Sequence, residues 1–426
     1  MGFNKKNIPG TIYLLLFICT GLIPNYGSLD RIATQWLYLS VLNTIGLIHF
    51  LFDTENKTRI KSYLQFKPFL FLIAFILWGM TSYLYSENQT EVIVKIVRWI
   101  QLPLSLFILM QFFHIYSKNY FKIISFFVLT VLLAELYFSF STFFQLIKYA
   151  PYDFSFANLL KGASGNKNIT AASILIKIPF IIYLISEVSN RLIKFTLASI
   201  LFSSTYLIFL LSARASIIGL FLVLSILVIN YIYFSIKNKT LIKDISFGLI
   251  LTSMLASTIL FSFNYRNNNT ASFTNRVTTI NTEDTSTQQR LRFYKHSFTQ
   301  VINNPFIGVG LGNWKIKSID YDKKDIMGYI VPYHTHNDFL EIAAELGVIG
   351  LILYLLIFIF PLISLIKNKT EEKLININSI ILLLGVIYFI DANLNFPHAR
   401  PIMQVPFILI LALSYAVKQN NKIDNV

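Results

Sequence analysis

The sequence holds one cysteine, Cys19, in 426 residues. It sits inside an apolar run, which excludes an intrachain disulfide and any metal site built on clustered cysteines. Charge is scarce too: 13% of the residues are Asp, Glu, Lys or Arg while 55% are hydrophobic, and the mean hydropathy is +0.60. So few charges cannot solvate a soluble globule of this size, and the chain reads as an integral membrane protein. Acidic groups are the rarer sign, 21 against 36 Lys and Arg, for a formal charge of +15. The basic surplus is spread over short loops instead of forming one face, which argues against nucleic acid as a partner. No internal repeat is evident.

What abounds is apolar sequence in runs long enough to cross a hydrocarbon core of roughly 30 Å. Twelve such runs lie at about 8–24, 31–52, 67–86, 92–116, 120–147, 170–187, 191–211, 214–236, 243–263, 343–366, 374–390 and 401–417. The expected fold is therefore all-α: a single polytopic membrane domain over 1–426 with about twelve transmembrane helices. The first run follows Lys5 and Lys6 as a secretory signal would, but it lacks a small-x-small cleavage site, so we expect it to be retained. Loops on the N-terminal side of the bundle carry most of the Lys and Arg, among them Lys57, Arg59, Lys237, Lys239, Lys367 and Lys369. The opposite loops carry fewer, including Arg98, Lys148, Lys161, Lys167 and Arg214. This asymmetry predicts both termini in the cytoplasm. Residues 264–342, between the ninth and tenth spans, would then form one large extracytoplasmic loop with room for a reaction chamber.

That loop begins with a polar stretch, Asn264 to Thr287. Gln288 to Ile302 reads as an amphipathic helix with Leu291, Tyr294, Phe298, Val301 and Ile302 on its apolar stripe, stopped by Asn303-Asn304-Pro305. Gly308-Val309-Gly310-Leu311-Gly312 lacks the strand-then-helix context of a nucleotide-phosphate fingerprint, so a tight turn under a membrane-facing helix is expected. His336-Asn337 then leads, nine residues on, into Gly347-Val348-Ile349-Gly350. A polar pair at the mouth of an apolar helix has no use facing lipid, where each unsatisfied polar group costs several kcal/mol. It should face water, protein or substrate.

Four places in order resemble the O-antigen ligase and polymerase family of membrane proteins. They are Gly165-Asn166-Lys167-Asn168 entering a helix, Leu211-Ser212-Ala213-Arg214-Ala215-Ser216 at a sharp helix-to-helix turn, Arg290 through Gly312, and His336-Asn337 with Gly347 and Gly350. The resemblance covers most of residues 160–400, whereas the first 150 share only hydropathy. It implies a multi-pass protein of the bacterial cytoplasmic (inner) membrane whose large loop is periplasmic. It also implies a glycosyltransferase that takes a glycan from an undecaprenyl-diphosphate carrier without a metal or other cofactor. For a ligase the acceptor is the lipid A core oligosaccharide; for a polymerase it is another carrier-linked glycan, and the motifs do not separate the two. A lipid-linked glycan transporter or flippase is the reading from a different class, but matching halves, common in transporters, are not seen.

The chemistry assigns roles to residues in these places. Breaking the anomeric bond leaves charge on a diphosphate, which cationic donors must hold, and the planar fork of arginine suits phosphate oxygens. Arg214 and Arg290 are the first candidates, Arg214 having snorkelling to lipid phosphates as its alternative. Arg292 and Lys167 are further substrate-binding candidates, Arg292 having a solvated helix charge as its alternative. His336 can take the proton of an attacking sugar hydroxyl as general base, with a loop-to-helix cap as the structural alternative. His334 and Asn337 are placed as substrate-binding neighbours. His334-Thr335-His336 without Cys or a clear acidic third ligand is a weak metal motif, so no metal is expected. Asn337 and Asp338 suit a helix start. Glu341 and Glu345, one turn apart, either position a base or acceptor or form a wetted face. Glu135 and Lys177 fall inside apolar spans, so pairing with each other or lining the carrier's path are both open. Asp391 and Arg400, in a turn with Asn393, Asn395, His398 and Pro397, complete the set.

Overall fold

The computed structural model describes residues 8–30, 32–52, 60–115, 120–153, 155–238, 244–265, 285–325, 333–367 and 374–423. The expected polar stretch Asn264 to Thr287 lies largely outside them. Among the described residues every regular element is helical. In chain order these are α1 (Ile8–Ile18), α2 (Ala33–Phe52), α3 (Ile60–Leu64), α4 (Lys67–Thr81), α5 (Gln89–Ile115), α6 (Tyr120–Leu146), α7 (Lys167–Glu187) and α8 (Arg191–Leu211). There follow α9 (Arg214–Lys237), α10 (Ile245–Tyr265), α11 (Thr285–Asn303), α12 (Trp314–Asp322), α13 (Asp338–Lys367), α14 (Ile377–Leu394) and α15 (Pro401–Ile423). Eleven helices among the described residues are long and apolar enough to cross a membrane; the first expected span is a shorter apolar helix, Ile8–Leu22. The expected all-α polytopic fold is therefore the one observed.

Helices that are apolar all round belong in the middle of a bundle, and α7 and α15 are buried over 89% and 94% of their spans. α7 packs against α6, α8, α9 and α14, and α15 against α5, α13 and α14. Two clusters of polar groups in this interior are paired inside the bundle, as a surrounding without water favours. Lys177 Nζ lies 2.9 Å from both carboxylate oxygens of Glu135, and Ser173 Oγ donates to Glu135 at 2.7 Å. The two charges that the sequence left stranded in apolar runs are thus each other's partner. A second cluster joins α1, α2 and α5: Asn43 Oδ1 accepts from Tyr13 and Ser105, while its Nδ2 donates to Gln101.

The turn between α8 and α9 is as sharp as the sequence suggests. Ser212 takes a left-handed conformation, φ 54°, and Arg214 starts the next helix two residues later. α13 starts earlier than hydropathy alone places it, because Asn337 caps it: its Oδ1 accepts the Leu340 N–H at 3.0 Å.

Helix α11 forms where expected but turns a different face inward. Phe293, Ser297 and Gln300 are buried, whereas Leu291, Phe298 and Ile302 of the expected stripe are exposed. Hydrogen bonding decided the orientation, since Ser297 Oγ lies 2.9 Å from Thr335 Oγ1 and Tyr294 reaches the chain at His336.

The glycine-rich run is a turn, and it plugs a break in α13. Gly347 has φ 66° and ψ −170°, a region essentially reserved for glycine. A Cβ there would stand 2.2 Å from the backbone of Phe306, and one on Gly308 would meet the Glu345 backbone at 2.4 Å. The close approach lets Val309 and Gly310 donate to the carbonyls of Ala344 and Glu345 at 3.0 and 2.8 Å, while Val348 donates to Pro305 at 2.7 Å. Trp78 Nε1 donates to the Leu346 carbonyl at 3.0 Å. Carbonyls freed by the break are thereby re-satisfied, and the first two turns of α13, with their acidic residues, are fixed against the turn.

Candidate functional site

His336 ends the segment that leads into α13 and is held in the left-handed region, φ 62°. Such backbone strain in a residue other than glycine persists only where the surroundings impose it. Tyr294 Oη, from α11, lies 3.1 Å from the His336 carbonyl and 3.2 Å from that of Asn393 at the end of α14. Asn337 Nδ2 donates to the same Asn393 carbonyl at 3.2 Å. Three elements thus meet at the His-Asn pair.

Below it lies a histidine–carboxylate network. Glu341 Oε1 is 2.9 Å from His334 Nδ1 and 3.3 Å from His398 Nε2, and its Oε2 accepts the Thr335 N–H at 2.9 Å. His398 Nδ1 is 2.7 Å from Asp338 Oδ1, and the His398 N–H donates to Asp338 Oδ2 at 3.1 Å. Burial alone would depress the His398 imidazole, but Asp338 and Glu341 together outweigh it and raise its pKa to about 9. For His334 burial prevails over Glu341, so its pKa is lowered. Of the two readings open for Glu341, positioning is the one the contacts support: it grips residues 334 and 335 and so fixes the backbone at 336. Glu345 is buried too, beside Trp314, so neither carboxylate lies on a wetted face.

The His336 side chain contrasts with these satisfied groups. Its Nδ1 is buried with no hydrogen-bond partner among the described residues, and its ring meets Phe396 edge-on at 5.0 Å. Burial first, then the charges of Arg290, His334 and Arg400, push its pKa down to about 3. The imidazole is therefore neutral at ordinary pH, with a nitrogen kept available. Phe396 organises this corner: His334 stacks on it at 4.0 Å and the Arg400 guanidinium lies 3.6 Å from its centre. Asp391 Oδ1 accepts from Asn395 Nδ2 at 2.6 Å, while its Oδ2 is buried and unpartnered among the described residues. Arg290 and Arg400 are both within electrostatic reach of that carboxylate.

The structure therefore gathers Arg290, His334, His336, Asn337, Asp391 and Arg400. Arg214 heads α9, and its charge is not among the largest acting on His336. Lys167 opens α7 behind its cap Asn166, beside a cavity that Arg400 also lines. Arg292 turns instead to Asp322, with Nε 2.8 Å from the buried carboxylate, and ties α11 to α12. Residues that sequence reasoning passed over are His398, Asp338 as more than a helix start, and Phe396. The signal for His398 and Phe396 was their place in the polar turn around Pro397, and that for Asp338 was its position at a helix start.

Two groups have ligand atoms close enough to share a metal ion, His334 with Glu341 and His398, and His296 with Asp322 and Asp325; each set lies within 4.8 Å. In the first, a metal would have to displace the proton that Asp338 and Glu341 favour on His398. In the second, Asp322 is already paired with Arg292.

Fold and site together define a polytopic membrane protein with a cationic, histidine-bearing site at one end of its helical bundle. Residues 197–355 match the family model described as O-Antigen ligase. That bears out the resemblance seen in the motifs, over a segment holding Arg214, Arg290, His336, Asn337 and the Gly347 break; Lys167, Asp391 and Arg400 lie outside it. A Rickettsia conorii protein named as a candidate polysaccharide ligase is 29% identical over 135 residues, 31% of this chain and 32% of its own. A Rickettsia typhi protein of the same description is 30% identical over 119 residues, 27% of this chain and 29% of its own. The chain thus spans about a third of the length of these relatives.

Proposed function

We propose that the protein is a ligase-type membrane glycosyltransferase, moving a glycan from an undecaprenyl-diphosphate carrier to a hydroxyl of an acceptor such as the lipid A core oligosaccharide. The observation that carries this reading is the neutral His336 with an unpartnered Nδ1 beside two arginines. In the reaction the acceptor oxygen attacks the anomeric carbon, the bond from that carbon to the diphosphate oxygen breaks with its electron pair leaving on the diphosphate, and His336 takes the acceptor proton. One displacement with one base inverts the anomeric centre. Arg290 holds the leaving diphosphate next to His336, Arg214 approaches from the α8–α9 turn, and Asp391 Oδ2 is free to accept from an acceptor hydroxyl.

The depressed basicity of His336 suits this order of events. A diphosphate bound between Arg290 and Arg400 offsets the charges that hold the imidazole down, so donor binding strengthens the base at the moment it is needed. We place the site, with the 264–342 segment, on the extracytoplasmic side of the inner membrane and both termini in the cytoplasm, on the strength of the loop charges. The test is the purified protein with a carrier-linked glycan, a core-type glycolipid and a second carrier-linked glycan as competing acceptors, in the presence of a chelator. Transfer to the glycolipid is expected. Transfer only to the second carrier-linked glycan makes the protein a polymerase, activity lost with chelator and restored by a divalent ion overturns the metal-free chemistry, and no product with either acceptor overturns the reading.

A further inference from the structure

The apolar stripe of α11 is left outside the protein. Leu291, Phe298 and Ile302 recur at the spacing of one helical face, with the exposed Lys295 between them, and they lie opposite the buried Phe293, Ser297 and Gln300. Phe298 is 57% and Ile302 63% exposed, and Phe306, at 69%, and Ile307 prolong the strip past the end of the helix. Apolar surface gathered in one exposed place marks an interaction surface. Hydrogen bonds near both ends of the strip locate it in the bundle. Tyr294 bonds to the Asn393 carbonyl, at the end of the span α14. Past the other end of α11, Tyr85, just beyond the span α4, donates to the Ile307 carbonyl at 2.7 Å, and Val348, where α13 resumes after its break, donates to the Pro305 carbonyl. Helix α11 therefore runs from the end of one membrane span to the ends of two others, across the margin of the bundle instead of away from it. At these junctions the spans themselves present exposed apolar groups, Leu77, Met80 and Leu84 on and just past α4, and Val348, Ile349 and Ile352 on α13. The strip on α11 thus continues the surface that the spans turn to lipid.

We propose that α11 is an interfacial membrane helix: its Leu291, Phe298 and Ile302 face, continued by Phe306 and Ile307, lies in the boundary between headgroups and acyl chains of the surrounding bilayer, and Lys295 extends its ammonium to the headgroups. A helix with one apolar face and a long cationic side chain beside it is suited to lying in that plane. Lipid is favoured over a second copy or another protein because the strip is continuous with the lipid-facing surface of α4 and α13, and because lysine, here in the middle of the strip, is depleted from protein interfaces. The bilayer then supports from outside a helix whose other faces bring Arg290 toward His336 and tie Arg292 to Asp322. The inference holds whatever reaction the site performs.

The test places a nitroxide label on Phe298→Cys and, separately, on Ile302→Cys, each in the full-length protein with Cys19→Ser, in phosphatidylcholine nanodiscs holding one chain each. Spin relaxation by oxygen, which concentrates in hydrocarbon, is compared with relaxation by a polar nickel chelate, which stays in water. Leu77→Cys in α4 is the lipid control and Asp320→Cys, exposed on α12, the water control. The ratio of oxygen to nickel accessibility at positions 298 and 302 should exceed that at 320 by about fivefold, since a polar solute is excluded from hydrocarbon, and should fall between the two controls. All of these side chains are exposed, so the labels report without opening the core, and the two stripe positions check one another. A ratio at 298 and 302 equal to that at 320 would put the strip in water and overturn the proposal. Low accessibility to both reagents would mean that protein covers it, another segment of this chain or a tightly held partner, and would overturn the proposal as well.

Discussion

Replacing His336 by glycine and by alanine separates its chemistry from its backbone. Both variants lose the imidazole, the edge contact to Phe396 and the depressed titration, so they differ in what φ 62° costs the residue and in the freedom of the unfolded chain. An alanine held in the left-handed region is strained by about 1–2 kcal/mol, and a glycine is not. Glycine also gains freedom in the unfolded chain, which returns about 0.4–1 kcal/mol of that advantage. Strain outweighs that entropy, so His336→Gly should be the more stable of the two by roughly 1 kcal/mol. In a chain of this length that is a rise of about a degree or two in the thermal midpoint of the solubilised protein. Transfer assayed with a carrier-linked glycan should fall about 10²–10⁴-fold in both, the contribution of a positioned general base. Near-wild-type transfer in either variant would remove His336 from the chemistry. A glycine variant no more stable than the alanine one would refute the strain argument while leaving the base untouched.

Gly347→Ala should destabilise strongly: the glycine-only conformation costs about 1–3 kcal/mol for another residue, and the backbone hydrogen bonds that plug the break must shift as well; a thermal midpoint within a degree of wild type would contradict the clamp. Lys177→Met should cost about 3–5 kcal/mol by leaving Glu135 buried and uncompensated, and Glu135→Leu with Lys177→Met should recover much of it; equal midpoints for single and double variants would show that the pair does not interact. Arg292→Ala should lower stability by about 1–3 kcal/mol by stranding the Asp322 carboxylate with the rate per folded molecule kept; a lost rate at unchanged stability would return Arg292 to substrate binding. Thermal midpoints followed against pH should show histidine contributions of opposite sense. His398, raised to about 9, stabilises below its ordinary value and loses that contribution as pH climbs through about 9, whereas His336, lowered to about 3, contributes above its ordinary value and loses that contribution as pH falls toward 3. His398→Gln should weaken the alkaline dependence and leave the acid side, and His336→Gly should reduce the acid dependence and leave the alkaline side; the converse pattern would reverse the assignment.

The sequence by itself determined the spans, because the requirement that a membrane helix be continuously apolar is local and one-dimensional. It also carried the ends that side chains cap, Asn166 and Asn337, and the turn at Ser212, since each is a short-range bond or dihedral preference. The His-Asn pair stood out for the same local reason, a polar dipeptide at the mouth of an apolar helix. Only the tertiary structure decided which groups converge. His398 reaches Asp338 across 60 residues of chain and Arg400 shares a cavity with residues 23–35 and 161–169, contacts that no periodicity encodes. The buried face of α11 was set by Ser297 and Tyr294 bonding to the His336 segment, against the apolar stripe that composition favoured. Pairing those polar groups outweighed burying the stripe, because a buried polar group left unsatisfied costs about 1–3 kcal/mol.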